Sequence, residues 1–135
     1  MKLNFRVKGD LKLPSDFKEK WLTALRSGDY SQTRQNLRDT SGFCCLGVGY
    51  DVLGGKWHSG TREHVTEYFC TSNDSSSMPN IYDYGREIWT VLNQDTTFNP
   101  DNNEDGNHNI LNALSWHNDK GSTFDEIADW VETYL

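Results

Sequence analysis

The spacing of apolar residues divides the chain into a short extended segment and a series of helices. Leu3, Phe5 and Val7 alternate with polar residues, and Gly9 then interrupts the pattern. Such alternation is typical of a strand that buries one face. We therefore expect residues 1–14 to form a strand or hairpin extension.

Helical spacing begins directly after this extension. Phe17, Trp21 and Leu25 lie four residues apart, which places them on one face of a helix. Ser15 is the predicted N-cap and Gly28 lies just past the predicted end. These signals predict an amphipathic helix with its apolar face toward the core.

The central stretch from residue 43 to residue 53 is apolar on nearly every face and stops at Gly54 and Gly55. A helix that is apolar all round belongs inside a core, so we predict a central buried helix at about 43–53. Residues 39–42 before it read as a turn. They predict two short strands, or one strand that leads into the helix.

The second half of the chain is more polar. Residues 56–80 carry no clear periodicity, whereas the stretch from Asp83 to Asn93 has helical spacing. A helical face also runs over residues 110–117. The last helix is predicted to start at the capping-box pair Thr123 and Glu126.

These elements predict one α+β domain over residues 1–135, dominated by helices and completed by a small antiparallel sheet or hairpin. The chain carries 20 acidic and 13 basic residues, for a formal net charge of -7. This charge disfavours direct binding of DNA or RNA. No apolar run approaches the roughly 20 residues of a membrane span, and the N-terminus lacks an apolar signal region. Three cysteines favour reduced thiols, so a cytoplasmic protein is expected.

Two blocks, residues 15–53 and 110–135, carry a resemblance to a family of small, mostly uncharacterised accessory proteins of tailed bacteriophages. The matching positions of the first block are Trp21, Ala24 to Gly28, Tyr30, Gln32, Leu37, Arg38, Gly42 and Cys44 to Val48. Those of the second are Asn118, Asp119, Gly121, Phe124 and Glu126 to Asp129. The resemblance implies an accessory role in the host cytoplasm, in counter-defence or in host takeover.

The adjacent pair Cys44 and Cys45 raises the question of thiol chemistry. A cysteine at a helix N-terminus has its thiolate stabilised by the helix dipole, and His117 or another histidine would complete a Cys-His pair. This arrangement predicts a Cys-dependent hydrolase or transferase as the alternative function. The competing interpretation is that both cysteines are small apolar residues of the buried helix.

A set of polar residues between the first two predicted helices suggests a ligand site. Arginines beside an aromatic ring can hold a phosphate and stack a base. The predicted ligand-binding residues are Arg26, Tyr30, Gln32, Arg34 and Arg38. Their ligand would be a small anion such as a nucleotide-derived signal, unless Arg38 pairs with a neighbouring acid such as Asp39.

An acidic face offers a second mode of binding. The predicted outer face of the last helix carries Asp125, Asp129 and Glu132, which would meet a basic surface of a host protein. Both modes describe a protein that acts by binding without catalysis and needs no cofactor. A homo-oligomer is also compatible with the sequence.

A polar loop in the second half resembles the start of a calcium-binding loop. Its candidate ligands are Asp101, Asn103, Asp105, Asn107 and Asn112. Asn112 stands where such a loop closes with a bidentate Glu, so we favour a solvated turn that caps the following helix.

Overall fold

A computed structural model describes residues 1–61, 67–73, 76–102 and 106–135. The described residues form six helices and four strands, which confirms the predicted α+β class. The helices are α1 (Ser15–Arg26), α2 (Cys45–Val52), α3 (Ile81–Tyr84), α4 (Arg86–Leu92), α5 (Ile110–Lys120) and α6 (Phe124–Tyr134). The strands are β1 (Arg38–Asp39), β2 (Gly42–Phe43), β3 (His58–Thr61) and β4 (Glu67–Cys70).

The four strands form one antiparallel sheet in the order β2-β1-β4-β3. The β1–β2 hairpin encloses the turn at residues 39–42, as one of the two sequence alternatives predicts. Strands β3 and β4 lie in a stretch for which the sequence predicted no element. Each has only four residues and β3 is polar, so their pairing partners define them more than their own pattern does.

The predicted central buried helix is confirmed as α2. Its residues from Cys45 to Tyr50 are buried, and Cys44 is the N-cap, with its Sγ accepting a hydrogen bond from the Gly47 amide at 3.4 Å. A Cβ atom on Gly47 would lie 1.9 Å from the carbonyl oxygen of Leu37. Glycine at this position therefore allows α2 to approach the backbone before β1.

Helices α1 and α6 pack against each other, and α1 also packs on α2. Trp21 of α1 is fully buried and donates its indole N–H to the carbonyl of Cys45 at 3.0 Å. The predicted N-cap of α1 is wrong by one residue. Pro14 is the N-cap and makes no side-chain capping bond, while Ser15 is already helical.

The predicted single helix from Asp83 to Asn93 is two helices. Gly85 separates α3 from α4 with a φ of 82°, a conformation that glycine adopts without steric cost. Asn80 and Asp83 form a capping box at the start of α3. The apolar face of this region continues across the break, which explains why its periodicity resembles one helix.

The N-terminal segment buries Leu3 and Phe5, as the alternation predicts, but it forms no hairpin. Its one bridge joins Val7 to Thr96, and the amide of Lys8 donates to the carbonyl of Asp95 at 2.9 Å. The segment thus pairs with a distant loop. Alternation identified the buried face, but it contained no information on the partner strand.

The C-terminal helix follows its prediction closely. Thr123 and Glu126 form the capping box of α6, with Thr123 as N-cap. Trp130 donates its indole N–H to the carbonyl of Phe5 at 2.9 Å, which attaches the N-terminal segment to α6. None of the helices in the described ranges has both the length and the apolar character needed to span a bilayer.

Candidate ligand-binding site

Arg38 lies in the middle of a row of aromatic side chains on the sheet. It pairs directly with Phe43 of β2 and with Phe69 of β4, and directly paired residues of neighbouring strands share one face. The guanidinium carbon lies 4.7 Å from the Phe43 ring centroid and 4.4 Å from the Phe69 centroid. Trp57 is the third ring, at 5.6 Å. We call Arg38, Phe43, Trp57 and Phe69 the Arg38 cluster.

Asp51 of α2 holds the rings beside this cluster in place. One of its carboxylate oxygens accepts a hydrogen bond from the Tyr30 hydroxyl at 2.5 Å, and the other accepts from the Trp57 indole at 3.0 Å. Tyr30 in turn packs edge-on against Phe43, with centroids 4.9 Å apart. Burial and the hydrogen bond to Asp51 raise the pKa of Tyr30 to about 12, so its hydroxyl stays a donor at neutral pH.

The charge of Arg38 has no acidic partner within ion-pair distance among the described residues. Asp39, the neighbouring acid, accepts hydrogen bonds from the Thr33 hydroxyl at 2.6 Å and from the Ser41 amide at 2.8 Å. Arg38 is half-buried, and its guanidinium carbon lies over the rings of Phe43, Trp57 and Phe69. The N–H groups of a guanidinium form a planar fork that can donate to an anion.

The other predicted ligand-binding residues lie elsewhere. Arg26 pairs with Asp129 at 2.7 Å and with Glu132 at 2.8 Å, which joins α1 to α6. Arg34 is exposed, at the α5–α6 turn beside Gly121. The predicted set of five residues is therefore divided between separate parts of the molecule.

Gln32 serves an internal network centred on Asn118, a residue that the sequence analysis named only as a position of the second resemblance block. Asn118 is fully buried, and its Oδ1 accepts from Gln32 at 2.8 Å and from the Cys45 amide at 3.1 Å. Its Nδ2 donates to the carbonyl of Thr33 at 2.8 Å. The sequence signal that could have identified this network is an asparagine next to the apolar face of a predicted helix.

The cysteines of the alternative function are enclosed in the core. Burial raises the pKa of Cys44 to about 12 and that of Cys45 well above its ordinary value. The Cys45 thiol lies 3.8 Å from the carbonyl of Leu114. Nδ1 of His117 hydrogen-bonds to the Ser122 hydroxyl at 3.2 Å instead. The structure does not bring these thiols together with His117, and both cysteines pack as the competing interpretation describes.

Two predicted ligands of the calcium loop, Asn103 and Asp105, lie outside the described residues. Asp101 and Asn107 are exposed. The amide of Asn112 donates to Asn109 Oδ1 at 2.8 Å, so Asn109 is the N-cap of α5. The described residues contain no group of three or more His, Cys, Asp or Glu side chains that could hold a metal ion.

The acidic residues predicted to meet a host protein lie on α6, as expected. All three are exposed: Asp125, Asp129 and Glu132. Two of them are the ion-pair partners of Arg26, whose single positive charge offsets one of the three negative charges. Asp125 is not one of the ion-pair partners of Arg26.

Comparison with protein families assigns the chain to one domain family. It belongs to DUF8296, a family of domains of unknown function, whose model matches residues 13–135. The match includes the Arg38 cluster, α2 and both C-terminal helices. Searches of curated proteins and of solved structures found no match.

Proposed function

We propose that this protein acts by binding, and that the Arg38 cluster takes a small anionic ligand with a planar ring, of the nucleotide class. The observation that carries the proposal is the state of Arg38. Its guanidinium is oriented by three aromatic rings, yet it has no acidic partner among the described residues. An arginine in these surroundings can donate charge-assisted hydrogen bonds to the anion of a ligand.

The chemistry of the surroundings fits such a ligand. A phosphate would accept hydrogen bonds from the edge of the Arg38 guanidinium, and the half-buried rings of Trp57 and Phe69 offer apolar surface to a base. Because Asp51 fixes Tyr30 and Trp57 through two hydrogen bonds, little side-chain freedom is lost when a ligand binds.

Burial of the thiols supports binding over cysteine chemistry. A nucleophilic cysteine needs a thiolate and access to its substrate. Cys44 and Cys45 are buried, and burial raises the pKa of each. The acidic-face mode has less support than the ligand mode, because Asp129 and Glu132 already hold an internal ion pair with Arg26, which offsets one of their two charges.

The resemblance to phage accessory proteins gives this activity a biological setting. In that setting the protein would act in the host cytoplasm, in counter-defence or host takeover, by sequestering a nucleotide-derived signal. This role rests on the resemblance, whereas the binding activity rests on the Arg38 cluster.

Calorimetric titration with AMP, ADP and a cyclic dinucleotide tests the proposal. We expect at least one of them to bind, and Arg38→Ala to weaken its binding by at least about tenfold, since it removes a charge-assisted hydrogen bond. Arg38→Lys keeps the charge but loses the planar fork, so it should also bind more weakly than the wild type.

The chain offers a matched control in Arg26→Ala, which removes an arginine that already has two acidic partners. This variant should bind the nucleotide as the wild type does. The proposal fails if none of the nucleotides binds at millimolar concentration, or if Arg38→Ala and Arg26→Ala bind equally well.

A further inference from the structure

Two adjoining cavities form one groove beside α1. The larger has a volume of about 620 Å³ and the smaller a volume of about 240 Å³. Asp16, Lys20 and Val52 line both cavities, so we treat the two as one surface and call it the α1 groove. Tyr30 lines the larger cavity and also packs against Phe43, so the groove is a neighbour of the Arg38 cluster. None of the cluster residues is among the described residues that line the groove.

The α1 groove is elongated. Four lining residues at helical spacing follow one face of α1 and its C-cap: Asp16, Lys20, Thr23 and Ser27. At about 1.5 Å per residue, the stretch from the first to the last of them extends about 16 Å along the helix axis. An extended peptide advances about 3.3 Å per residue, so about five of its residues fit along this length. These dimensions suit a peptide segment.

The inner wall of the α1 groove is apolar. Among its lining residues, Phe17 and Ile88 are buried, and Ala24 and Val52 are half-buried. Leu53, at the end of α2, lines the smaller cavity and is 40% exposed. A side chain that packs on this surface removes apolar area from water, which favours binding.

Acidic side chains surround this apolar wall. The charged residues that line the groove are all exposed: Asp16, Glu19, Lys20, Asp29 and Glu87. None of them takes part in an ion pair with another described residue. Four carboxylates and one ammonium group give the groove a net negative charge. Such a surface is complementary to a partner that brings positive charge to it.

We propose that the α1 groove binds a basic peptide segment of a partner protein, in which apolar side chains alternate with Lys or Arg. The apolar side chains pack against Val52 and Leu53, and the cations lie near the carboxylates around the groove. The net charge of -7 disfavours a second copy of this chain as the occupant, and it disfavours nucleic acid in the same way. This proposal does not rest on nucleotide binding by the Arg38 cluster.

Three capped hexapeptides test the groove by NMR titration of the full chain. The first alternates Leu with Lys, the second replaces Leu by Ser, and the third replaces Lys by Glu. We expect the Leu-Lys peptide to bind with a dissociation constant below about 1 mM and to move the amide resonances of Thr23 and Val52. The other two peptides should bind at least about tenfold more weakly, because each lacks one of the two complementary features.

Charge variants locate the binding. Glu19→Lys should weaken the Leu-Lys peptide by at least about fivefold, and Lys20→Glu should strengthen it by about threefold, because the two substitutions change the charge of the groove in opposite directions. Asp125→Lys is the matched control. It makes the same change in net charge as Glu19→Lys, but at an exposed position of α6 that does not line the groove, so it should change the affinity by less than about twofold at physiological salt.

The proposal is overturned by any of three results: no binding of the Leu-Lys peptide at millimolar concentration, equal affinity for the Leu-Lys and Ser-Lys peptides, or equal weakening by Glu19→Lys and Asp125→Lys. The last two results would indicate general attraction between unlike charges. Arg38→Ala should bind the Leu-Lys peptide as the wild type does, so failure of peptide binding and failure of nucleotide binding are separate outcomes.

Discussion

The start of α2 and the Arg38 cluster meet in the sequence, where Phe43 directly precedes Cys44. The start of α2 carries two thiols, and the cluster carries a charged guanidinium. At the start of α2, Cys44 and Cys45 are enclosed, and burial holds both thiols in the protonated form. In the cluster, aromatic rings hold Arg38 in one orientation while its charge lacks an acidic partner among the described residues.

This difference teaches that residue type alone does not locate function. A cysteine at a helix N-terminus is reactive only where solvent and a base reach it, and Cys44 and Cys45 are both buried. A surface arginine is often paired with an acid, as Arg26 of α1 is. What distinguishes Arg38 is its contact with three aromatic rings together with the lack of an acidic partner among the described residues. Each region can be perturbed separately.

The largest effect should come from adding a side chain at Gly47, where α2 approaches the backbone before β1. Gly47→Ala puts a Cβ 1.9 Å from the carbonyl oxygen of Leu37, so the helix must shift. We expect the free energy of unfolding, measured by urea denaturation, to fall by about 3 kcal/mol or more. Gly54→Ala is the control, because its Cβ meets no atom within 4 Å and only its φ of 81° opposes alanine. It should cost about 1 kcal/mol.

A somewhat smaller loss should follow from removing the polar centre behind α2. Asn118→Ala leaves the Cys45 amide and one N–H of Gln32 without an acceptor and the Thr33 carbonyl without its donor, while Gln32 keeps its bond to the Ser122 carbonyl. The expected decrease in unfolding free energy is about 2 to 3 kcal/mol. Asn112→Ala, on the exposed side of the same helix, should change it by less than about 0.5 kcal/mol. Equal effects of the two substitutions would show that the buried network contributes nothing.

Alkaline pH should destabilise the start of α2. Burial raises the pKa of Cys44 to about 12 from an unfolded value of 9.0, so the thiol contributes stability below pH 9 that is lost as the pH rises toward 12. In that window the unfolding free energy should fall by about 1.4 kcal/mol per pH unit for this thiol. Urea denaturation of the wild type and of Cys44→Ala measures the difference. Parallel pH profiles would contradict the assignment.

The smallest effects concern the two arginines. Arg38→Ala removes the contacts with the aromatic rings and should lower the unfolding free energy by about 1 kcal/mol. Arg26→Ala breaks an exposed ion-pair network and should lower it by about 0.5 kcal/mol. Added salt at 1 M should abolish the Arg26 effect and leave most of the Arg38 effect. Thermal unfolding at low and high salt separates the two.

Much of the helical structure was predictable because its signals are local. Spacing of four residues located α1, the apolar run located α2, and the pair of Thr123 and Glu126 located the start of α6. The break at Gly85 was missed because the apolar periodicity continues across it. Strands β3 and β4 were missed because strands of four residues are too short to show a clear alternation and depend on their pairing partners.

The candidate site was predictable only in part, for the same reason. Arg38 and Tyr30 belonged to the predicted set, and both contact Phe43. The aromatic partners from β4 and from the loop before β3 were not in it, because the cross-strand register that joins Phe69 to Arg38 has no local signal.

By itself the sequence determined the α+β class, the main helices and a surplus of negative charge, since periodicity, caps and composition act over a few residues or over the whole chain at once. Only the tertiary structure decided which polar groups have partners. It paired Arg26 with two acids and placed Asn118 at the centre of the core network. It also left Arg38 and the Nε2 of His117 without polar partners among the described residues. The physical reason is that hydrogen bonds and ion pairs depend on distances of a few ångströms between residues far apart in the chain.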